Sequence, residues 1–183
     1  MITLITGIPR SGTSLMMQLF KAANAEIATD AIRTEDENNP KGYYELEAVK
    51  GIVKNNQFLK ELDGKTIKIV APLVTFIDLT LEYQVIFMIR DLDEVLQSQG
   101  KMLGKDQQDQ QEKFRTIYTL HVEKSRQFLR ANNISFIEIQ HRELLQESET
   151  TLQYLIDFCQ WETSIDELKS VIDQSLYRNR KNA

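Results

Sequence analysis

A single cysteine excludes an internal disulfide and any zinc site built on several thiolates. Cys159 shares a helical stripe with Leu152, Leu155 and Ile156, which reads as core. Three prolines and seven glycines in 183 residues are too few for a long linker, so one domain over residues 1–183 is expected. No apolar run approaches the roughly 18 residues that a membrane span requires. Nor does the amino terminus carry a charged, then apolar, then small-residue leader, and a cytoplasmic protein without a membrane partner is the expectation. Basic residues are also in deficit: the formal net charge of −5 argues against nucleic acid held through general electrostatics. Arg10, Arg33, Lys41, Lys68, Arg90 and the tail Arg178, Arg180 and Lys181 nevertheless suffice for one small polyanion.

What is present is a soluble, globular balance of 42% hydrophobic and 27% charged residues, arranged as alternating periods. β-rich runs occur at Ile2 to Thr6, Thr66 to Ala71, Gln84 to Ile89 and Ile134 to Ile139. Helical periods lie between and after them: Thr13 to Ala23, Leu92 to Leu103, Gln111 to Asn132, Thr150 to Cys159 and Ile165 to Leu176. Alternation of this kind predicts an α/β fold, a mainly parallel sheet flanked by helices, with Val85-Ile86-Phe87-Met88-Ile89 as a central strand. Ligands of such sheets bind beyond the carboxyl ends of the strands. Here the loop after Thr6 and the Arg90-Asp91 pair after Ile89 occupy such ends.

The first of these, Gly7-Ile8-Pro9-Arg10-Ser11-Gly12-Thr13-Ser14, joins a strand to a helix through a glycine-bounded turn. Its amides and the start of the helix form an anion cradle. Two glycines five apart and a hydroxyl at Ser14 nearly match a nucleoside-triphosphate loop, yet Thr13 stands where that loop needs lysine. Arg10 supplies the cation instead, with a planar fork suited to phosphate or sulfate oxygens. At the second strand end, Asp91 as N-cap with Glu94 three residues on predicts a capping box, which puts Ser98 about two turns into the helix.

Pro9-Arg10-Ser11-Gly12-Thr13-Ser14 resembles the 5′-phosphosulfate loop of sulfotransferases that use 3′-phosphoadenosine 5′-phosphosulfate (PAPS). The run Val85 to Ser98 resembles their second motif, an arginine ending a central strand and a serine eight residues later, although many relatives have proline where this chain has Leu92. The likeness covers at least residues 2 to 100 and, more loosely, Ser135 to Leu145. It implies the sulfotransferase version of the P-loop nucleoside-kinase-like fold. It implies PAPS as co-substrate, 3′-phosphoadenosine 5′-phosphate (PAP) as product, and no metal. Pro9, Arg10, Ser11, Gly12, Thr13 and Ser14 would hold the 5′ side, Arg90 and Ser98 the 3′-phosphate, and Lys68 the transferred sulfonate. An edge strand accounts for Lys68 equally well.

Sulfonate transfer to a hydroxyl or amine needs a base, and a carboxylate can serve. Asp30-Ala31-Ile32-Arg33 resembles the acidic residues followed by an arginine that tyrosylprotein-type sulfotransferases carry at a similar distance from the loop, which implies Asp30 as the first candidate, with Glu35 and Glu45 behind it. Cytosolic relatives place a histidine after the second strand; this chain has none there. His121 reads as a core histidine, and His141 as a residue capping the last strand or touching the site's rim. Asn38 to Glu45 reads either as an acceptor wall or as a surface turn, and the basic tail from Tyr177 to Lys181 as mobile or as folding onto the 3′-phosphate. The acceptor, a small molecule, glycan or peptide, and the oligomeric state have no signal in the sequence. Two other functions compete: an ATP-magnesium phosphotransferase, against which Thr13 stands, and a non-catalytic nucleotide-binding domain.

Overall fold

The computed structural model describes residues 1–30, 32–33, 35–36, 39–103, 108–146 and 148–173, with backbone alone for residues 102, 103 and 108–110. Asn38 and the tail from Tyr177 to Lys181 lie outside the described residues, as do the side chains of Met102 and Leu103.

Four strands, β1 (Ile2–Gly7), β2 (Thr66–Lys68), β3 (Tyr83–Ile89) and β4 (Ser135–Gln140), form one sheet in the order β2-β1-β3-β4. Every pairing is parallel: Thr3 to Ile5 lie opposite Thr66 to Lys68, Ile2 to Gly7 opposite Tyr83 to Met88, and Gln84 to Ile89 opposite Ser135 to Gln140. All six residues of β1 are buried, as an inner strand covered on both faces must be.

Successive strand residues point to opposite faces and so feed two cores. Leu4, Val85 and Phe87 pack with Leu59, Val74 and Leu129 on one side. Ile5, Ile86 and Met88 pack with Met16, Leu19 and Phe20 on the other. Helix α1 (Thr13–Ala22) thus covers one face, and α3 (Gln108–Ala131), reached from β3 through α2 (Leu92–Leu103), covers the opposite face. The connection after β1 runs toward β2 and the one after β3 toward β4. The ends of β1 and β3 therefore flank a topological switch point, where a crevice opens.

Several boundaries differ from the sequence expectation, each for a local reason. Strand β2 is short by regular pairing, but Ile69 and Ala71 still donate to Ile5 O and Gly7 O at 3.0 Å each, carrying the backbone beside β1 until Pro72. Residues 26–28 pair along the outer side of β2 through Thr66, so this edge strand is covered at its start. A helix not expected, α4 (His141–Gln146), follows β4 directly, before α5 (Ser148–Cys159). Helix α6 (Ile165–Lys169) opens with a Ser164–Glu167 capping box and is shorter than its apolar period promised. Cys159 is half-buried against the core, and burial pushes its thiol up to about 12, so it is unreactive.

Candidate functional site

The loop after β1 keeps its shape through backbone conformations that side chains resist. Gly7 has φ +146° and Gly12 φ +101°. A Cβ on Gly7 would stand 2.5 Å from Ser11 Oγ and 2.6 Å from Met88 O; one on Gly12 would stand 2.6 Å from His141 Cδ2. All three contacts are closer than a Cβ tolerates without a shift of its neighbours, and both φ values disfavour a side chain, so both positions favour glycine. Between them Arg10 adopts a left-handed φ of 70°, a strain that non-glycine residues carry at functional sites. Gly12 is the N-cap of α1 and offers no side-chain oxygen to its first-turn amides, the groups an anion accepts from.

This loop forms one wall of a cleft of about 420 Å³ over the ends of β1, β2 and β3. Pro9, Arg10, Gly12, Thr13 and Ser14 line it, and so do Lys68, Arg90 and Ser98. Residues far apart in sequence touch here. Arg10 Nε donates to Ser98 Oγ at 3.0 Å, and Arg90 Nη1 donates to the Arg10 carbonyl at 3.1 Å. Burial, chiefly, lowers the Arg10 pKa; Tyr43 opposes the effect and the Arg90 charge adds to it. A buried guanidinium beside a second one is stabilised by an arriving anion. Helix α2 begins where the sequence reading put it: Asp91 Oδ1 accepts from the amides of Asp93 at 2.8 Å and Glu94 at 3.4 Å.

Across the cleft stands a second charged group. Lys68 is only 5% exposed, because its side chain points inward from β2. Its Nζ donates to the Tyr43 carbonyl and lies 3.3 Å from Glu45 Oε1. Burial pulls the Lys68 ammonium down to about 8 against the restoring pull of Glu45. Glu45 also takes Arg33 Nη1 at 3.1 and 3.2 Å on its two oxygens. The Arg33 guanidinium stacks 3.5 Å from the Tyr43 ring centroid, and the Tyr43 hydroxyl donates to the Asp36 carboxylate at 2.7 to 2.8 Å. Ser14 joins this wall to the loop: its Oγ accepts from Asn39 Nδ2 at 3.1 Å and donates to the Tyr43 carbonyl at 3.4 Å. The segment from Asn39 to Glu45 therefore walls the cleft rather than forming a detached surface turn.

Two expected residues sit differently. Asp30 is not among the described residues lining the cleft; its carboxylate accepts from the amides of Glu47 at 2.5 Å and Ile32 at 3.0 Å, and these bonds, Glu47 first, hold its pKa down. It caps local backbone. Of the three candidate carboxylates, Glu45 is the one on the cleft, and Glu35 is exposed away from its lining. Ser11 is fully buried with its amide donating to Ile8 O at 3.2 Å, and its hydroxyl has no partner among the described residues. It shapes the turn and does not line the cleft.

His121 is half-buried, with its ring 6.4 Å from that of Tyr118, and so is not a core residue. His141 is buried against the loop and lines the cleft; burial, then the Arg90 charge, drives it down to about 3, so its imidazole is neutral. Gln18 and Lys101 also line the cleft. They were legible only as helical neighbours, four residues after Ser14 and three after Ser98. Among the described residues, no group of three or more His, Cys, Asp or Glu side chains could hold a metal ion, and no helix is long and apolar enough to cross a membrane.

No family model matches the chain, and no curated protein matches it. Among solved structures it is similar to the sulfotransferase domain from the Synechococcus PCC 7002 olefin synthase, at 13% sequence identity and a TM-score of 0.48, covering 99% of this chain and 80% of that one. So distant a likeness assigns nothing by itself, and the functional reading rests on the residues of the cleft.

Proposed function

We propose that this protein is a sulfotransferase that moves the sulfonate group of PAPS to the hydroxyl or amine of a small-molecule, glycan or peptide acceptor. The observation that carries this reading is the 3.0 Å contact between Arg10 and Ser98, with Arg90 donating to the Arg10 carbonyl. It unites an anion loop lacking the triphosphate lysine with a second basic site suited to another phosphate. A nucleotide with phosphoryl groups on both its 5′ and 3′ sides matches that pair of sites.

In this scheme the first-turn amides of α1, with Ser14, take the 5′-phosphate, while Arg90 and Ser98 take the 3′-phosphate. The acceptor oxygen or nitrogen attacks sulfur as the bond from sulfur to the bridging oxygen breaks, leaving that electron pair on the phosphate of PAP. Arg10 and Lys68 neutralise charge on the leaving phosphate and the sulfonate. The acceptor proton passes to a carboxylate, and Glu45 takes that role in place of Asp30 because it faces Lys68 within the cleft. Ser11 supports the turn without touching the nucleotide.

Isothermal titration with PAP tests the reading. Magnesium-independent binding, tighter than that of 5′-AMP, is expected, and Arg90→Ala should weaken PAP by about 10- to 100-fold, as loss of a charge-assisted hydrogen bond does. Absence of PAP binding, or binding indifferent to Arg90→Ala, overturns it. Magnesium-dependent ATP binding in its place would support a phosphotransferase. PAP binding without sulfation of any acceptor in a broad screen would support a non-catalytic nucleotide domain.

A further inference from the structure

Glu94 was expected to serve the helix start, as the third residue of a capping box. An exposed carboxylate would suffice for that, yet this one is 5% exposed, and its Oε2 lies 2.9 Å from Arg90 Nε, with the two side chains 6% and 9% exposed. Burying such a pair costs desolvation that its mutual attraction barely offsets, so stability is a poor account of it. Geometry is a better one. A guanidinium is planar, and fixing two of its edges fixes the plane. Glu94 holds the Nε edge, and the Arg10 carbonyl accepts from Nη1 at 3.1 Å.

We propose that Glu94 is a positioning residue that aims Arg90 at the 3′-phosphate and so sets the preference for a 3′-phosphorylated nucleotide. The inference rests on the sulfotransferase reading and adds to it a specificity determinant that does not itself touch the nucleotide. Bulk charge gives the opposite expectation: removing a carboxylate near a phosphate lowers repulsion and should tighten binding. Positioning loosens it, because Arg90 loses one of the groups that fix its plane.

The experiment compares PAP with 5′-AMP, which lacks only the 3′-phosphate, by titration calorimetry on the full chain. In Glu94→Gln the ratio of PAP to AMP affinity should fall about 10-fold with AMP affinity unchanged, and Glu94→Gln added to Arg90→Ala should cause no further fall. Glu94→Asp keeps the charge but shortens the reach, and should also lose selectivity; it serves if Glu94→Gln does not fold. A ratio that is unchanged or raised in folded variants overturns the proposal. A wild-type protein that does not prefer PAP to AMP overturns the underlying reading, which is a separate result.

Discussion

Lys68 holds its charge in surroundings that disfavour it. Its folded pKa, about 8, lies below the ordinary lysine value of 10.5. Between those values the unfolded chain binds the extra proton and the folded chain does not. Stability from this group therefore rises with pH across that window, and its destabilising effect is fully present below about 8. Function runs the other way. If the ammonium contacts the sulfonate, the advantage of PAPS over PAP in binding should decline as pH rises through about 8. Lys68→Arg, charged throughout, should remove that decline. Calorimetric titration of both nucleotides from pH 6.5 to 9.5 checks this; a flat PAPS-to-PAP ratio in the wild type would dissociate Lys68 from the sulfonate.

The strand-to-helix loop is the element on which the cleft depends. Gly12→Ala forces a side chain into φ +101° and toward His141 Cδ2, and should destabilise the fold by about 1–3 kcal/mol while lowering PAP affinity more than 10-fold. Gly51→Ala meets nothing within 4 Å and should change stability by no more than about 0.5 kcal/mol. Urea unfolding of the two variants against wild type measures the contrast. This loop was readable in the sequence because its constraints are local: glycines at fixed spacing, an arginine between them and a helix immediately after. The inner strands β1 and β3 were readable for the same reason, since parallel strands buried on both faces leave near-continuous apolar runs, whereas the edge strand β4 shows alternating burial.

What the sequence hid depends on distance. Asp30, Glu35 and Glu45 lie within one acidic stretch, and no local pattern tells which of them turns toward Lys68, because that is settled by the backbone carbonyl of Tyr43 and the stacked Arg33. Likewise the spacing showed Glu94 as a capping residue, and only the fold brings its carboxylate to Arg90 Nε. Helix α4 was missed because six residues are too few for a helical period to stand out.

At the scale of the whole molecule the charge is segregated. An acidic chain of net charge −5 gathers arginines and lysines around one cleft, where Glu45 and Asp173 are the carboxylates among the described lining residues. A ligand that binds only the assembled cleft shifts the unfolding equilibrium by mass action. PAP at 100 times its dissociation constant should add about 2.7 kcal/mol. For a chain of this size that corresponds to a rise of roughly 5–10 °C in Tm. Arg90→Ala at the same PAP concentration should show a smaller rise, and equal rises would mean that PAP binds elsewhere.

The contact of Arg10 with Ser98 spans 88 positions of the chain. During synthesis the loop of residues 7 to 14 leaves the ribosome early, but its arginine has no serine to meet until α2 has emerged and β3 has docked beside β1. On the proposed reading, recognition of a nucleotide is thus a property of the chain only once more than half of it exists, and no early fragment could draw on that ligand to stabilise itself.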